Sequence, residues 1–204
     1  MSSRERLLSA AVEGIVDQAV VERLSDTLGF SVYAFYGLKG KSFLKKRIKA
    51  FNNAARFNLW LVLVDLDACE CAPKLRANWL VTPSRLMRFR VVVRAIEAWL
   101  MVDPDTLADF LHVRRALIPA NPDTLENPKQ SLVSLARRST RADVRKDMVP
   151  RAGSGNTIGP AYSSRLIEYV SDHRNGWRPN EAARVSDSLR RCWVRLQNLD
   201  ALPR

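Results

Sequence analysis

Asp65 and Asp67 stand one residue apart at the end of a continuous apolar run, Leu59-Trp60-Leu61-Val62-Leu63-Val64. A run apolar on both faces reads as a central parallel strand, and such a strand presents ligand-binding groups at its carboxyl end. Strand alternation sends the two carboxylates to the same side, where both can reach one hard divalent cation without backbone strain. Glu13 closes another apolar run, Leu7 to Val12. Glu97 lies in Ala95-Ile96-Glu97-Ala98-Trp99-Leu100, which continues from a further run at Phe89 to Val93. Neighbouring strands are ~4.8 Å apart, so acids at adjacent tips can share one or two metal ions. That is the outline of metal-assisted phosphoryl chemistry.

The elements that must position these acids alternate along the first half of the chain. After the Leu7 to Val12 strand, Val20, Val21, Leu24 and Leu28 recur at helical spacing, with Asp17 placed to start the helix. Ser31 to Tyr36 is β-branched and aromatic and runs into Gly37 and Gly40, a strand leaving into a turn. Leu44, Ile48, Phe51 and Ala55 mark one helix face, with Lys45, Lys46, Arg47 and Lys49 largely elsewhere on it. Pro73 opens a helix carrying Leu75, Trp79 and Leu80 before the Phe89 strand. The order βαβαβαβ predicts an α/β core over residues 1–103, a mostly parallel sheet flanked by helices. Glu97 is expected near the tip of its fourth strand.

From Asp103-Pro104 onward the strand signals stop, and residues 104–204 read as a mainly helical extension packed on the core. Helices are expected at Pro104 to Leu111, Pro128 to Arg138, Tyr162 to Val170 and Pro179 to Leu199. Pro150-Arg151-Ala152-Gly153-Ser154-Gly155-Asn156 is a basic, glycine-containing loop between them.

The 33 basic residues outnumber the 21 acidic ones, and the resulting net charge of +12 favours a polyanionic partner, nucleic acid first. Lys41, Lys74 and Arg151 are the candidate contacts to an anionic backbone. A hydrophobic content of 47% beside 26% charge is that of a folded globular chain rather than a disordered one. No stretch approaches the ~20 apolar residues of a membrane span, and the start MSSRERLLSAAVEG lacks a signal-peptide pattern. Three cysteines do not make a disulfide framework, so a reducing cytoplasmic setting is expected.

Competing chemistries are weaker. Gly37-Leu38-Lys39-Gly40-Lys41-Ser42 lies between a strand and a helix like a phosphate-binding loop, but Phe35 stands where that loop needs its first glycine. An aspartyl-phosphate phosphatase also ends an apolar strand in Asp-x-Asp, though on the opening strand of its domain, whereas two strands precede Asp65 here. Cys69 and Cys71 have no second cysteine pair, and His112 and His173 are the only histidines, which falls short of a structural zinc site.

Taken together, Val12-Glu13-Gly14 with its following helix and Leu61-Val62-Leu63-Val64-Asp65-Leu66-Asp67 resemble the Toprim fold, the catalytic domain of topoisomerases, primases and the overcoming-lysogenization-defect nucleases. More closely, LVLVDLDACECAPKLRANWL, RFRVVVRAIEAWLMVDPDTLADFL and PRAGSGNTIGPAYSSRL resemble a Toprim-like bacterial family often encoded beside ATPases in defence loci. The resemblance covers residues 7 to 199 in order. It implies a Toprim-like fold and a Mg²⁺-dependent (or Mn²⁺-dependent) nuclease or nuclease-like subunit in antiphage defence, acting on DNA or RNA, with an ATPase partner. Within that site it implies Glu13 as acid or base and Asp65 and Asp67 as metal ligands. Glu13 and Glu97, the latter inside a family motif, are assigned here as further ligands. The alternative is a non-catalytic nucleic-acid-binding or partner-docking module that keeps the acids as a structural metal site.

Overall fold

The computed structural model describes residues 6–69 and 71–198. Strands β1 (Arg6–Val12), β2 (Phe30–Gly37), β3 (Trp60–Asp65) and β4 (Met87–Val92) form one sheet in the order β2-β1-β3-β4, with every pairing parallel. Helices α1 (Ile15–Leu28), α2 (Lys41–Ala54) and α3 (Ala72–Trp79) connect successive strands. The chain is therefore α/β, Toprim-like in architecture, as the sequence predicts.

Strand alternation divides the apolar side chains between two faces. Leu61 and Leu63 of β3 join Leu8, Ala10 and Val12 of β1 in a core built on α1, while Trp60, Val62 and Val64 pack with Leu44, Ile48 and Phe51 of α2 on the other. Helices thus cover both faces. Because β1 continues outward to β2 while β3 continues the opposite way to β4, the chain changes direction between β1 and β3. The carboxyl ends of those two strands flank the position where open parallel sheets bind ligands.

Beyond β4 the chain is helical: α4 (Ile96–Met101), α5 (Pro104–Leu111), α6 (Pro128–Arg137), α7 (Ala142–Met148), α8 (Tyr162–Ser171), α9 (Pro179–Val185) and α10 (Asp187–Gln197), with 3₁₀ turns at Arg115–Leu117 and Pro122–Thr124. Prolines open α5, α6 and α9, where the missing N–H would have no helical partner and a fixed φ favours the first turn. Leu132, Leu166, Trp177 and Leu189 are buried in the same apolar cluster as α1, so the helical part covers the α1 face of the sheet. Trp99 and Trp177 are fully buried there, and the indole of Trp177 donates to the Trp99 carbonyl at 3.0 Å.

Three expectations need correcting. Glu97 is not on a strand tip, because β4 stops at Val92 and Ile96–Met101 forms a helix buried at every residue. A run buried on all sides has no periodicity to separate helix from strand, so Ala95 to Leu100 carries no signal that decides between them. The last helix is broken at Ser186, whose Oγ accepts from the Leu189 N–H at 3.4 Å and donates to Asp123 at 2.9 Å, so that the serine caps α10 instead of continuing α9. Its expected end at Leu199 lies outside the described residues. Finally, α7 is a helix where the sequence reading expects none. Among the described residues no helix is long and apolar enough to cross a membrane.

Candidate functional site

β1 and β3 deliver two acids to the same end of the sheet. Glu13 leaves β1 and its Oε1 accepts the Asp65 N–H at 2.9 Å, which locks the two strand ends together. Asp65 is the last residue of β3, in phase with Leu61 and Leu63, and therefore faces the α1 core. Its Oδ1 is buried and has no hydrogen-bond partner.

Two more acids come from helices. Asp17, in the first turn of α1, is 6% exposed; its Oδ2 accepts the Gly14 N–H at 3.1 Å, and its Oδ1 is buried without a partner. Glu97 of α4 is 2% exposed, its Oε1 accepting from the Tyr162 hydroxyl at 3.3 Å with the Lys129 ammonium 3.6 Å away, and its Oε2 again lacks a partner. Burial is the main cause that lifts the Asp65 carboxyl well above the usual carboxylate range, followed by repulsion from Asp17, Glu97, Glu13 and Asp67. Asp17 is raised to about 7, by burial first and then by Glu13. Glu13 is raised too, chiefly by burial, against the lowering effect of the Asp65 N–H and Lys41.

Asp67 behaves differently from its expected twin. The strand ends at Asp65, and Asp67 turns out of it with φ of 53°, so alternation no longer governs where its side chain points. More than half exposed, it forms a 2.7 Å ion pair with Lys41. The Lys41 ammonium also donates to the carbonyls of Asp65 at 2.5 Å and Leu66 at 3.3 Å, capping the carboxyl end of β3. Arg94 secures the next carbonyls, Asp67 at 3.0 Å and Cys69 at 3.4 Å.

The loop before Lys41 is fastened to β1: Leu38 N–H donates to the Val12 carbonyl at 3.0 Å and Gly40 N–H to the Glu13 carbonyl at 3.1 Å. Gly37 is required there, since a Cβ would lie 2.3 Å from the Val12 oxygen. With these donors committed to β1, the segment is a latch on the strand end rather than a phosphate cradle.

Of the residues picked out in the sequence, the structure brings Glu13, Asp65, Asp67, Glu97 and Lys41 into one neighbourhood. Lys74 lies on the exposed surface of α3, and Arg151 is exposed in the connection between α7 and α8. Cys69 and Cys71 are exposed free thiols. Sequence reasoning missed Asp17 as a site residue, although a carboxylate three, four and seven positions before Val20, Val21 and Leu24 sits on the buried stripe of its own helix. Lys129 and Tyr162 carry no local signal, because only tertiary packing brings them to Glu97.

Among the described residues no group of three or more His, Cys, Asp or Glu side chains is arranged, as it stands, to hold a metal ion. The carboxylates repel one another. Their chemistry nevertheless fits a hard cation, because three buried oxygens, on Asp17, Asp65 and Glu97, are acceptors with no donor to satisfy them. Compared with protein-family models, curated proteins and solved structures, the chain gives no match.

Proposed function

We propose that the chain is a Mg²⁺- or Mn²⁺-dependent phosphodiesterase acting on DNA or RNA, a nuclease or nuclease-like subunit of a Toprim-like antiphage system working with an ATPase partner in the cytoplasm. The observation that carries this reading is the set of unsatisfied buried carboxylate oxygens where the chain changes direction between β1 and β3. Unpaired buried acceptors are rare in folded proteins and ask for a ligand.

Asp17, Asp65 and Glu97 would hold the cation, with Asp67 a fourth carboxylate beside them. A bound divalent ion supplies Lewis-acid polarisation of the phosphodiester and a water of lowered pKa. Glu13, its carboxyl raised above the usual carboxylate range by burial, is the group placed to hold or release a proton at Oε1 or Oε2. Lys41 can exchange its Asp67 carboxylate for a phosphate oxygen, a substitution of one anion by another at the same ammonium. The net charge of +12 supports a polyanionic substrate, and the exposed Lys45, Lys46, Arg47 and Lys49 on α2 supply a basic surface beside the site.

The second reading, a binding or docking module with a structural acid cluster, is favoured by Lys41, which already neutralises Asp67 and caps β3. Cleavage of labelled DNA and RNA panels with Mg²⁺ or Mn²⁺ separates the two. The enzyme reading expects divalent-dependent cleavage that falls roughly 10²-fold or more in Glu13→Gln, the usual scale of general acid-base catalysis. Binding without cleavage by the wild type under every metal condition favours the module.

A further inference from the structure

A cavity of about 650 Å³ opens at the free edge of β4, between α3, the Pro122–Thr124 turn and α10. Its charged lining is Arg76, Arg90, Arg94 and Arg191 against Asp123 and Asp187, a net charge of +2 (four positive, two negative). Arg76 and Arg90 are unusual in it. The Nε of each is buried and has no hydrogen-bond partner, and among the described residues neither guanidinium has a carboxylate partner. Buried arginine is normally paired, because an unsatisfied charged donor carries its full desolvation cost. Burial, with Arg76, Arg195 and Arg88 nearby, draws Arg90 down to about 10.

The rest of the lining is of another kind. Leu66, Ala72, Pro73, Val91 and Val93 form an apolar wall. Asp123 commits Oδ2 to the Ser186 hydroxyl at 2.9 Å, while its Oδ1 is buried and unpartnered, and the Ser188 and Thr124 side chains complete the polar rim. A cavity of this size, with an apolar wall and a few unsatisfied polar groups, has the character of a small-molecule site. A phosphate monoester carries about two negative charges, matching the lining, and arginine forks suit its oxygens. The apolar wall suits a planar base, and Asp123 suits a hydroxyl or amino donor.

We propose that this cavity is a mononucleotide site, with the phosphate against Arg76, Arg90 and Arg94 and the nucleoside between the apolar wall and Asp123. It adjoins the end of β3 through Leu66 and Arg94 but uses none of the cluster's carboxylates, and it does not depend on the phosphodiesterase reading. A bound phosphate would satisfy the two Nε donors, which no group among the described residues reaches.

The test is isothermal titration of the full chain at low salt in EDTA with AMP, inorganic phosphate and adenosine as probes. The chelator ensures that metal binding at the acids plays no part, so the outcome is distinguishable from failure of the enzyme reading. AMP should bind, phosphate more weakly, and adenosine more weakly still. Arg90→Met and Arg76→Met should each weaken AMP about 10-fold or more, the scale of removing one charge-assisted hydrogen bond. Methionine fills much of the arginine stem, and removing an unpaired buried charge should leave the fold intact, which circular dichroism and an unchanged or raised Tm would verify. Arg191→Ala, at an exposed position, is a second variant that needs no core repacking and should weaken AMP less. No AMP or phosphate binding at millimolar concentration, or wild-type affinity in folded Arg76→Met and Arg90→Met, overturns the proposal. Equal affinity for AMP and phosphate overturns its nucleoside half.

Discussion

Replacing Asp17 with asparagine should stabilise the metal-free chain at neutral and alkaline pH. In the folded state the Asp17 carboxyl titrates at about 7, against 3.8 ordinarily, because it is buried and faces Glu13 and Glu97. A raised folded value means that the native state holds the proton more tightly than the unfolded chain. Stability is therefore greatest at the acid end of the window, falls as pH rises from about 4 to 7, and stays at its reduced level above. One pKa unit corresponds to ~1.4 kcal/mol, so the full shift amounts to roughly 4 kcal/mol for this group. Asp65 and Glu13, also raised, act in the same direction. The surface carboxylates lowered by arginine, Asp143 and Asp187, act oppositely but below the ordinary carboxylate range, so they leave pH 5 to 8 clear. The asparagine amide keeps an oxygen for the Gly14 N–H and carries no charge; allowing for burial of its NH₂ group, the gain at pH 8 should be about 2–4 kcal/mol. Urea denaturation in EDTA from pH 5 to 8 measures it. Wild-type stability should decline across that range and the variant's much less. A flat wild-type profile, or a variant less stable than wild type at pH 8, would refute the reasoning.

Other outcomes follow from the same site. Mg²⁺ or Mn²⁺ should raise the wild-type Tm at pH 8 in a concentration-dependent way, by about 2.7 kcal/mol of stability at a hundredfold excess over Kd, and Asp65→Ala with Asp67→Ala should remove that response; an unchanged response in the double variant would count against the acids as ligands. Nucleic-acid affinity should fall steeply with salt, and Lys74→Ala with Arg151→Ala should reduce the slope of log Kobs against log salt by about one for each phosphate no longer neutralised, as filter-binding titrations would record. A slope unchanged by both substitutions would place the phosphate-binding cations elsewhere, with the basic face of α2 the next surface to neutralise.

Much of the α/β half is legible because its strands are unbroken apolar runs and its helices have one apolar face. Val62 and Leu63 take opposite sides of the sheet as alternation requires, and Leu44, Ile48 and Phe51 are buried where helical spacing puts them. Sequence reasoning fails where a residue's fate depends on something distant. Placing Asp67 on Asp65's side presumes that the strand continues, but Lys41 from another helix caps the strand one residue after its last apolar side chain. Glu97 reads as a strand tip because a segment buried on every side hides its period. Ser186 looks like one more helical position, whereas its bond to Asp123, 63 residues away, decides that the chain turns there. The acids at the tips of β1 and β3 are thus readable as a set, and the helix-borne partners that complete the cluster are not.

Asp17 also bears on whether the cluster can be structural. The N-terminus of α1, a 14-residue helix, points its positive end at Asp17, and such a terminus offsets ~2 kcal/mol at best in a partly buried setting. Ionising Asp17 still costs roughly 4 kcal/mol after the backbone N–H groups of that terminus have lowered it, with Asp65 and Glu13 adding to it. Lys129 stands at hydrogen-bonding range of none of the three unpartnered oxygens, and Lys41 is engaged with Asp67 and the β3 carbonyls. These cations therefore leave the cluster undercompensated at neutral pH. Either protons or an added cation must make up the difference, and a purely structural arrangement would gain stability by exchanging Asp17 for an apolar residue. An acid on the apolar stripe of its helix therefore costs the fold stability that packing alone does not return.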